Sequence, residues 1–470
     1  MTSTSSTEIS SSPLSESQGD QKDMLEEAAR RATHYLDGLD SRTVFPQHEA
    51  LAGLESFTES FPQNPRGPLE TLSLLDKAGS PATVATNGSR YFGFVIGGSL
   101  PVALAANVLA AAWDQNAGLY IASPITAKLE KVAIDWLVDV LGLPTGSAGG
   151  FVTGGTMANF GGLAAARHAL LQREGWNAEA QGLFGAPPVT VIVGEEVHTS
   201  LLKALSLLGF GRERVMRVPV DGQGRMIASA LPAISGPTVV CTQAGNVNTG
   251  AFDPIGEICR VAHKAGAWVH VDGAFGLWAT AAPSRAHLTT GIDQADSWAL
   301  DAHKWLNVPY DSGLVFCRNP EDLRSALTHN REAAYLIEGN DREPMEYTPE
   351  LSRRARGIEV WAALRSLGRT GLAELIDRPC RLASKFAAGL KAGGYTILND
   401  VELNQVLVSF GDAEKTKRVI KAVQEDGTCW CGGTVWQGHT AMRISISSWA
   451  TTESDIDLSL EAILRIAKTV

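Results

Sequence analysis

The sequence predicts an α/β protein with a mostly parallel or mixed sheet. Near-continuous apolar runs at 189–193 and 238–242 predict strands, and segments with helical periodicity lie between such runs. Alternating strands and helices are typical of βαβ units. Strands without polar alternation indicate a sheet that is buried on both faces. Such sheets bind ligands beyond the carboxyl ends of their strands, so polar residues there are the candidates for a functional site.

Composition limits the class of protein. The chain has 470 residues, which is enough for a large core and about two or three domains. Its 44% hydrophobic and 19% charged residues are ordinary for a globular enzyme. A net charge of -11 argues against nucleic acid or an anionic membrane as a partner. The six cysteines are scattered, which predicts buried or incidental thiols in a reducing compartment and no metal site.

The N-terminal stretch and the apolar segments predict a cytoplasmic protein. Residues 1–22 contain no apolar run and the first arginine is Arg30, so we expect neither a secretory signal nor a mitochondrial transit peptide. The apolar stretch at 102–113 is too short to span a bilayer and is interrupted by Asn107.

Four regions are expected along the chain. Residues 1–23 are rich in Ser, Thr and acidic residues and should form a disordered tail. An N-terminal helical segment over 24–88 is followed by a large domain over 89–370 and a small C-terminal domain over 371–470. In the last domain we predict helices near 372–392 and 414–426, a strand near 442–447 and a closing helix from 453.

A glycine-rich turn at 149–159 leads into a helix predicted over 160–172 and follows helices predicted over 105–116 and 126–141. Free backbone N–H groups and the helix dipole favour an anion at such a turn. Glycine also allows the backbone to approach a ligand closely. The turn has neither the lysine of a P-loop nor the G-x-G-x-x-G spacing.

Two predicted strands end at residues that are candidates for catalysis. The strand predicted over 268–271 ends at Asp272, and the strand over 297–300 runs into a polar turn with Lys304. A lysine in an apolar site loses proton affinity and becomes an amine nucleophile, whereas a snorkelling lysine is the alternative. A carboxylate about thirty residues before such a lysine suggests pyridoxal phosphate (PLP), with a Schiff base on the lysine and the acid on the pyridinium nitrogen.

Two motifs together carry a family resemblance: His-Val-Asp-Gly-Ala-Phe at 270–275 and Asp-Ala-His-Lys-Trp at 301–305. The chain, over roughly 90–470, resembles the PLP-dependent group II amino-acid decarboxylases, which include the aromatic-L-amino-acid and glutamate decarboxylases. The resemblance implies fold type I of PLP-dependent enzymes. That fold has a large mixed-sheet domain with helices on both faces and a small C-terminal α+β domain. It also implies a homodimer with loops contributed across the subunit interface.

The resemblance assigns roles to individual residues. It implies that Lys304 holds the cofactor and that Asp272 pairs with its ring nitrogen. His198, at the end of the strand over 189–193, is expected to lie on the ring and to help in proton transfer. The remaining cofactor contacts that the resemblance implies are Gly155 and Thr156 at the phosphate, Asn246, and His303 beside the lysine.

The chain departs from the family pattern at three places. Gly273 replaces a usual alanine, Asp301-Ala302 replaces Asn-Pro, and Asn246-Val247 replaces Thr-Thr. A carboxylate is a poor neighbour for a phosphate, so we expect Asp301 to make a backbone contact only or to turn its side chain away.

Three further segments have open interpretations. Residues 330–347 read as a mobile loop, in which Tyr335 matches the family's proton donor to the substrate carbanion. Tyr91, Phe92 and Phe94 line a substrate pocket or simply cover the core. The arginines of 353–356 form an ion-pair cluster rather than a nucleic-acid patch.

These observations predict a PLP-dependent L-amino-acid decarboxylase that releases carbon dioxide and an amine, with an aromatic substrate favoured and Lys304, His198 and Tyr335 as catalytic residues. The alternative within the fold is another PLP reaction, namely aldehyde synthesis, transamination or β-elimination. The alternative outside enzymology is a PLP-binding protein without catalysis.

Overall fold

A computed structural model describes residues 21–328 and 342–470 of the chain. The helices are α1 Gln21–Asp37, α2 His48–Ala52, α3 Pro68–Leu74, α4 Ser80–Ala82, α5 Pro101–Trp113, α6 Pro124–Val140, α7 Gly155–Arg173, α8 Ala178–Gln181, α9 Thr199–Leu207, α10 Ile255–Lys264, α11 Pro320–Leu327, α12 Gly357–Ala392, α13 Ala413–Asp426 and α14 Glu453–Thr469. The strands are β1 Ala148–Val152, β2 Thr190–Gly194, β3 Met216–Val218, β4 Thr238–Gln243, β5 Trp268–Asp272, β6 Ser297–Asp301, β7 Gly313–Cys317, β8 Thr396–Ile397, β9 Gln405–Ser409, β10 Gly432–Trp436 and β11 His439–Ser445.

The large domain is built on a seven-stranded sheet with the order β1-β7-β6-β5-β4-β2-β3. The strands β6, β5, β4, β2 and β3, which are neighbours in this order, are parallel. Strand β7 pairs antiparallel with both β6 and β1. The carboxyl ends of β2, β4, β5 and β6 therefore meet at one edge of the sheet. The sequence prediction of a mixed α/β sheet is confirmed.

Two apolar layers enclose this sheet, as the continuous apolar strands require. Residues of one strand alternate between the layers: Val271 packs into one cluster and Trp268 into the other. Helix α7 lies on the second face, close to β5, β6 and β7. Every residue of β5 and β6 is buried, so the residues that follow these strands emerge from a rigid base.

In the small domain, α13 and the C-terminal part of α12 pack on a four-stranded sheet with the order β10-β11-β9-β8, in which all pairs are antiparallel. Helix α14 packs against α12 and α13. Only the strand β11 was predicted from the sequence, near 442–447. Helix α12 joins the two parts and has a kink at Gly368, where φ is 58°. The kink lies close to the predicted boundary at 370, which itself stays a prediction.

Helix ends account for the differences from the predicted bounds. The helix predicted from 105 begins at Pro101, because proline is pre-organised for the first helical turn. It ends at Trp113, since Asp114 adopts the left-handed conformation with φ 48°. Within the described residues, no helix has the length and apolar character that a bilayer crossing requires.

Candidate active site

Residues from four strand ends and one N-terminal loop line a cavity of about 290 Å³. The strand-end residues are His198 after β2, Gln243 in β4, Asp272 in β5 and Lys304 after β6. The register explains part of this convergence, because Asp272 pairs with Gln243 on one side and with Ala299 on the other. The structure thus brings together His198, Asp272 and Lys304, the three residues with the central predicted roles.

The carboxylate of Asp272 is nearly buried and is held by two donors. Its Oδ2 accepts a hydrogen bond from Asn159 Nδ2 at 3.0 Å, and its Oδ1 accepts one from the backbone N–H of Ala274 at 3.2 Å. Asp272 can therefore face a cationic ring nitrogen in the cavity.

Lys304 lies at the base of the cavity and forms an ion pair with Asp301, 2.8 Å between Nζ and Oδ2. Asp301 is 2% exposed, and its Oδ1 has no hydrogen-bond partner among the described residues. We expected this side chain to turn away from the glycine-rich turn or to leave the contact to its backbone. Instead its carboxylate faces the turn. The evidence is the short distance between them, since a Cβ placed on Gly155 would lie 3.0 Å from Asp301 Oδ2.

The glycine-rich turn is tightly packed at the N-terminus of α7. A Cβ on Gly313 would come within 2.5 Å of the Gly154 Cα, so glycine is required where β7 passes the turn. Gly155 and Thr156 begin the helix, where backbone N–H groups lack helical acceptors. This end of α7 therefore offers an anion site of the kind that the sequence predicts.

His198 caps α9. Its Nδ1 accepts a hydrogen bond from the backbone N–H of Ser200 at 3.2 Å and lies 2.7 Å from the Ser200 hydroxyl. Burial lowers the pKa of His198, and the charges of Lys304 and Arg443 act in the same direction, whereas the carboxylates of Asp272 and Asp301 oppose the shift. Because Nδ1 accepts, the proton resides on Nε2, and a neutral ring suits stacking on a flat ligand.

His303 is fixed beside the turn. Its Nδ1 accepts a hydrogen bond from the backbone N–H of Ser312 at 3.0 Å, and its ring stacks on Tyr310 with 4.2 Å between centroids. Burial lowers the pKa of His303. A Cβ on Gly154 would lie 3.0 Å from the His303 ring, so His303 is adjacent to the anion site. Tyr310 lines the cavity and was not predicted.

Asn246 is directed away from the cavity. Its Nδ2 donates to Glu196 Oε2 at 2.9 Å, and its Oδ1 accepts from the backbone N–H of Asn248 at 2.8 Å. The neighbours Gly245 and Val247, rather than Asn246, line the cavity. Its assignment to the cofactor stays a prediction.

The outer wall of the cavity is the loop of Phe94, Val95 and Ile96. Phe94 and Val95 have φ of 55° and 74°, a strained conformation for non-glycine residues. Phe94 is 62% exposed and stacks on Trp430 with 5.6 Å between centroids. Of the aromatic residues that the sequence singled out in this loop, Phe94 reaches the cavity, whereas Tyr91 and Phe92 are buried beneath it.

Arg443 is a candidate that sequence reasoning missed. This β11 residue is largely buried, and burial lowers its pKa. Among the described residues Arg443 Nη1 donates a hydrogen bond to the Val247 carbonyl at 3.4 Å and forms no ion pair with a carboxylate. Its bond to Val247, which lines the cavity, places Arg443 beside the cavity. No sequence signal could identify it, because only domain packing brings β11 to the strand ends.

Two other predicted features lie elsewhere. Tyr335 is outside the described residues. The arginines of 353–356 form ion pairs, as expected: Arg353 with Glu130, Arg354 with Glu359 and Arg356 with Asp311.

Comparison with known proteins gives the family. Residues 82–411 match the pyridoxal-dependent decarboxylase conserved domain. The aromatic-L-amino-acid decarboxylase of Bacillus atrophaeus is 28% identical, covering 91% of each chain. The acidic amino acid decarboxylase GADL1 of Mus musculus is 28% identical over 69% of this chain and 60% of its own length. Phenylacetaldehyde synthase of a Rosa hybrid cultivar is 30% identical over 57% of this chain and 55% of its own length.

A solved structure shares the fold. The crystal structure of Oryza sativa TDC with PLP and tryptamine superposes with a TM-score of 0.88 at 22% identity, covering 96% of this chain and 98% of that chain. This agreement confirms fold type I, with a large mixed-sheet domain and a small α+β domain.

The residues present fit PLP. Lys304 would offer the amine that holds the cofactor, Asp272 an anion for its ring nitrogen, and the N-terminus of α7 donors for its phosphate. The carboxylate of Asp301 beside this turn, with one oxygen lacking a donor among the described residues, is a charge that disfavours a phosphate. The chain belongs to the pyridoxal-dependent decarboxylase family and is a PLP-dependent carboxy-lyase that acts on an amino acid.

Proposed function

We propose that the substrate is an aromatic L-amino acid, which is converted to its amine and carbon dioxide. The observation that carries this proposal is the outer wall of the cavity, where Phe94 stacks on Trp430 and neighbours Val95 and Ile96. Phe275 and Val247 extend this apolar lining. An aromatic ring gains from burial against such a surface and from stacking, whereas an acidic side chain loses its hydration there.

Three cavity residues and the neighbouring Arg443 have proposed tasks. Lys304 holds the cofactor, Asp272 keeps its ring nitrogen protonated, and His198 lies on the ring. When bound, PLP supplies the electron sink for the bond that breaks at the substrate Cα. Arg443, cationic and without a carboxylate partner in the described chain, attracts the substrate carboxylate and orients it.

Proton return to Cα requires an acid near the cavity. We assign this role to Tyr335, which lies outside the described residues. His198 is the second candidate, because its Nε2 carries a proton and it lines the cavity.

A substrate panel tests the reaction and the substrate class. The purified holoenzyme is incubated with L-tryptophan, L-tyrosine, L-phenylalanine, L-glutamate and L-aspartate, and carbon dioxide, amine and aldehyde are quantified. We expect equal amounts of carbon dioxide and amine from an aromatic substrate, and none from Lys304→Ala. Turnover confined to the acidic substrates would refute the substrate class.

The same panel separates the alternatives. Aldehyde in place of amine would favour aldehyde synthesis, an outcome relevant because the chain is 30% identical to a phenylacetaldehyde synthase. Keto acid without carbon dioxide would indicate transamination.

We also propose a homodimer. Helix α5 and the segment after it carry exposed apolar side chains, among them Val108, Leu109, Trp113 and Ile121. Contiguous apolar surface of this kind is characteristic of subunit interfaces. Light scattering coupled to gel filtration should give twice the chain mass, and Val108→Asp with Leu109→Asp should give the monomer. A wild-type monomer would refute the proposal.

A cytoplasmic location is proposed on the basis of the cysteines. All six are free thiols and buried, as expected in a reducing compartment. Fractionation of source cells with an antibody against the chain tests this location, and recovery outside the cytosolic fraction would contradict it.

A further inference from the structure

A continuous chain of side-chain hydrogen bonds runs beneath the sheet edge and ends on Asp272. Trp268 Nε1 lies 2.9 Å from Ser297 Oγ, and that hydroxyl lies 2.8 Å from His270 Nδ1. His270 Nε2 lies 2.8 Å from Asn159 Oδ1, and Asn159 Nδ2 lies 3.0 Å from Asp272 Oδ2. Ser297, His270 and Asn159 are 0% exposed, so water does not replace any link.

The chemistry of the two ends fixes the direction of every bond. The indole N–H of Trp268 can only donate, and an ionised Asp272 can only accept. Asn159 must therefore donate through its amide nitrogen to Asp272 and accept through its oxygen from His270 Nε2–H. The remaining nitrogen of a neutral His270, Nδ1, accepts from the Ser297 hydroxyl. Burial lowers the pKa of His270 to about 3, so the ring is neutral at pH 7.

The close packing of α7 on β5 allows this chain of hydrogen bonds to form. A Cβ on Gly162 would lie 2.7 Å from the His270 ring and 3.3 Å from Ser297 Oγ. Glycine at this position lets α7 approach β5 closely enough for Asn159 of that helix to reach Asp272. Five side chains with polar groups form this arrangement in the interior of the protein. Apolar residues could fill the same space, so packing alone does not explain the polar groups.

We propose that His270 and Asn159 are positioning residues for the cofactor, which orient the Asp272 carboxylate toward the ring nitrogen. This inference rests on the proposed role of Asp272. Donors aligned in one direction polarise one another, and a carboxylate fixed by hydrogen bonds loses less freedom when its partner binds. Neither residue lines the cavity, so both act through Asp272.

Three variants test the proposal, namely His270→Phe, Asn159→Leu and the conservative His270→Gln, whose amide can still donate to Asn159. The measurements are the PLP dissociation constant of the apoprotein, kcat and KM. We expect His270→Phe and Asn159→Leu to weaken PLP binding about tenfold to a hundredfold, as for a lost bond to a charged group. We expect kcat to fall with KM nearly unchanged, and His270→Gln to recover most of the loss.

Val269→Ala is the matched control, because Val269 is the buried neighbour in β5 that packs into the opposite apolar layer. It should lower thermal stability while leaving PLP affinity unchanged. A second measurement needs no substitution of the chain: ¹⁵N spectra of the histidine rings in wild-type apoprotein should show a neutral His270 with its proton on Nε2. A proton on Nδ1, or a charged ring at pH 7, would overturn the assignment.

Asp272→Asn distinguishes the positioning role of His270 and Asn159 from the role of Asp272 itself. If this variant loses PLP affinity while His270→Phe and Asn159→Leu stay within about twofold of wild type, the positioning role is refuted and the proposed role of Asp272 stands. If Asp272→Asn keeps full affinity and kcat, the role of Asp272 itself fails.

Discussion

Gly97 lies directly against the backbone of Lys304: a Cβ on Gly97 would come within 1.7 Å of the Lys304 carbonyl oxygen. This contact holds the strained loop of Phe94 and Val95 over the cavity. We expect Gly97→Ala to push the loop away from Lys304, because neither backbone can yield without unpacking its surroundings. The cost should be about 1–3 kcal/mol of stability or more, together with a higher KM.

Gly222→Ala is the control for Gly97→Ala, since a Cβ there meets nothing within 4 Å. Its stability and KM should match wild type. A Gly97→Ala enzyme with wild-type KM and melting temperature would contradict the contact.

Arg443→Gln should raise KM about tenfold or more, because the substrate carboxylate loses a charge-assisted contact worth roughly 1.5–3 kcal/mol. PLP affinity should change little. The control is Arg465→Gln, whose guanidinium is exposed and pairs with Asp426. An unchanged KM for Arg443→Gln across the aromatic substrates would exclude this role.

The ion pair of Glu130 with Arg353 should be the costliest to break in the described chain. Both side chains are almost completely buried, and Arg353 Nη2 lies 2.7 Å from each Glu130 oxygen. Glu130→Gln leaves a buried guanidinium without its counter-ion, which should cost about 3–5 kcal/mol of unfolding free energy. Asp135→Asn, in the exposed pair with Lys131, should change stability little in the same denaturation experiment.

We expect His270 to make the unfolding free energy of the apoprotein depend on pH. Burial lowers its folded-state pKa to about 3, whereas an unfolded histidine titrates near about 6.5. Between these values the unfolded chain binds a proton that the folded chain does not, so stability falls as pH decreases. The slope from this group approaches about 1.4 kcal/mol per pH unit.

Urea denaturation of wild type and His270→Gln at pH 6.5 and pH 5 measures that contribution. The unfolding free energy of wild type should decrease relative to the variant as the pH is lowered. Parallel pH profiles for the two proteins would show that His270 is not held neutral.

Local sequence patterns were sufficient to predict which strand ends carry the site residues and that these residues meet. Parallel strands place their carboxyl ends at one edge, so the order of His198, Asp272 and Lys304 along the chain already predicted that they would meet. The glycine-rich turn was predicted for the same reason, because a helix N-terminus is a local property. Helix bounds were less accurate, since proline and left-handed caps moved them by several residues.

The sequence by itself therefore determined the fold class, the family and the residues at the strand ends. Only the tertiary structure decided which side chains support and surround them. Asn159 and His270 belong to the glycine-rich turn and to the motif at 270–275, and Arg443 has an ordinary strand context, but the hydrogen-bond partners of all three include residues far away in the chain. Their positions depend on how α7 packs on the sheet and how the small domain packs on the large one. These are long-range contacts, and a local pattern does not encode them.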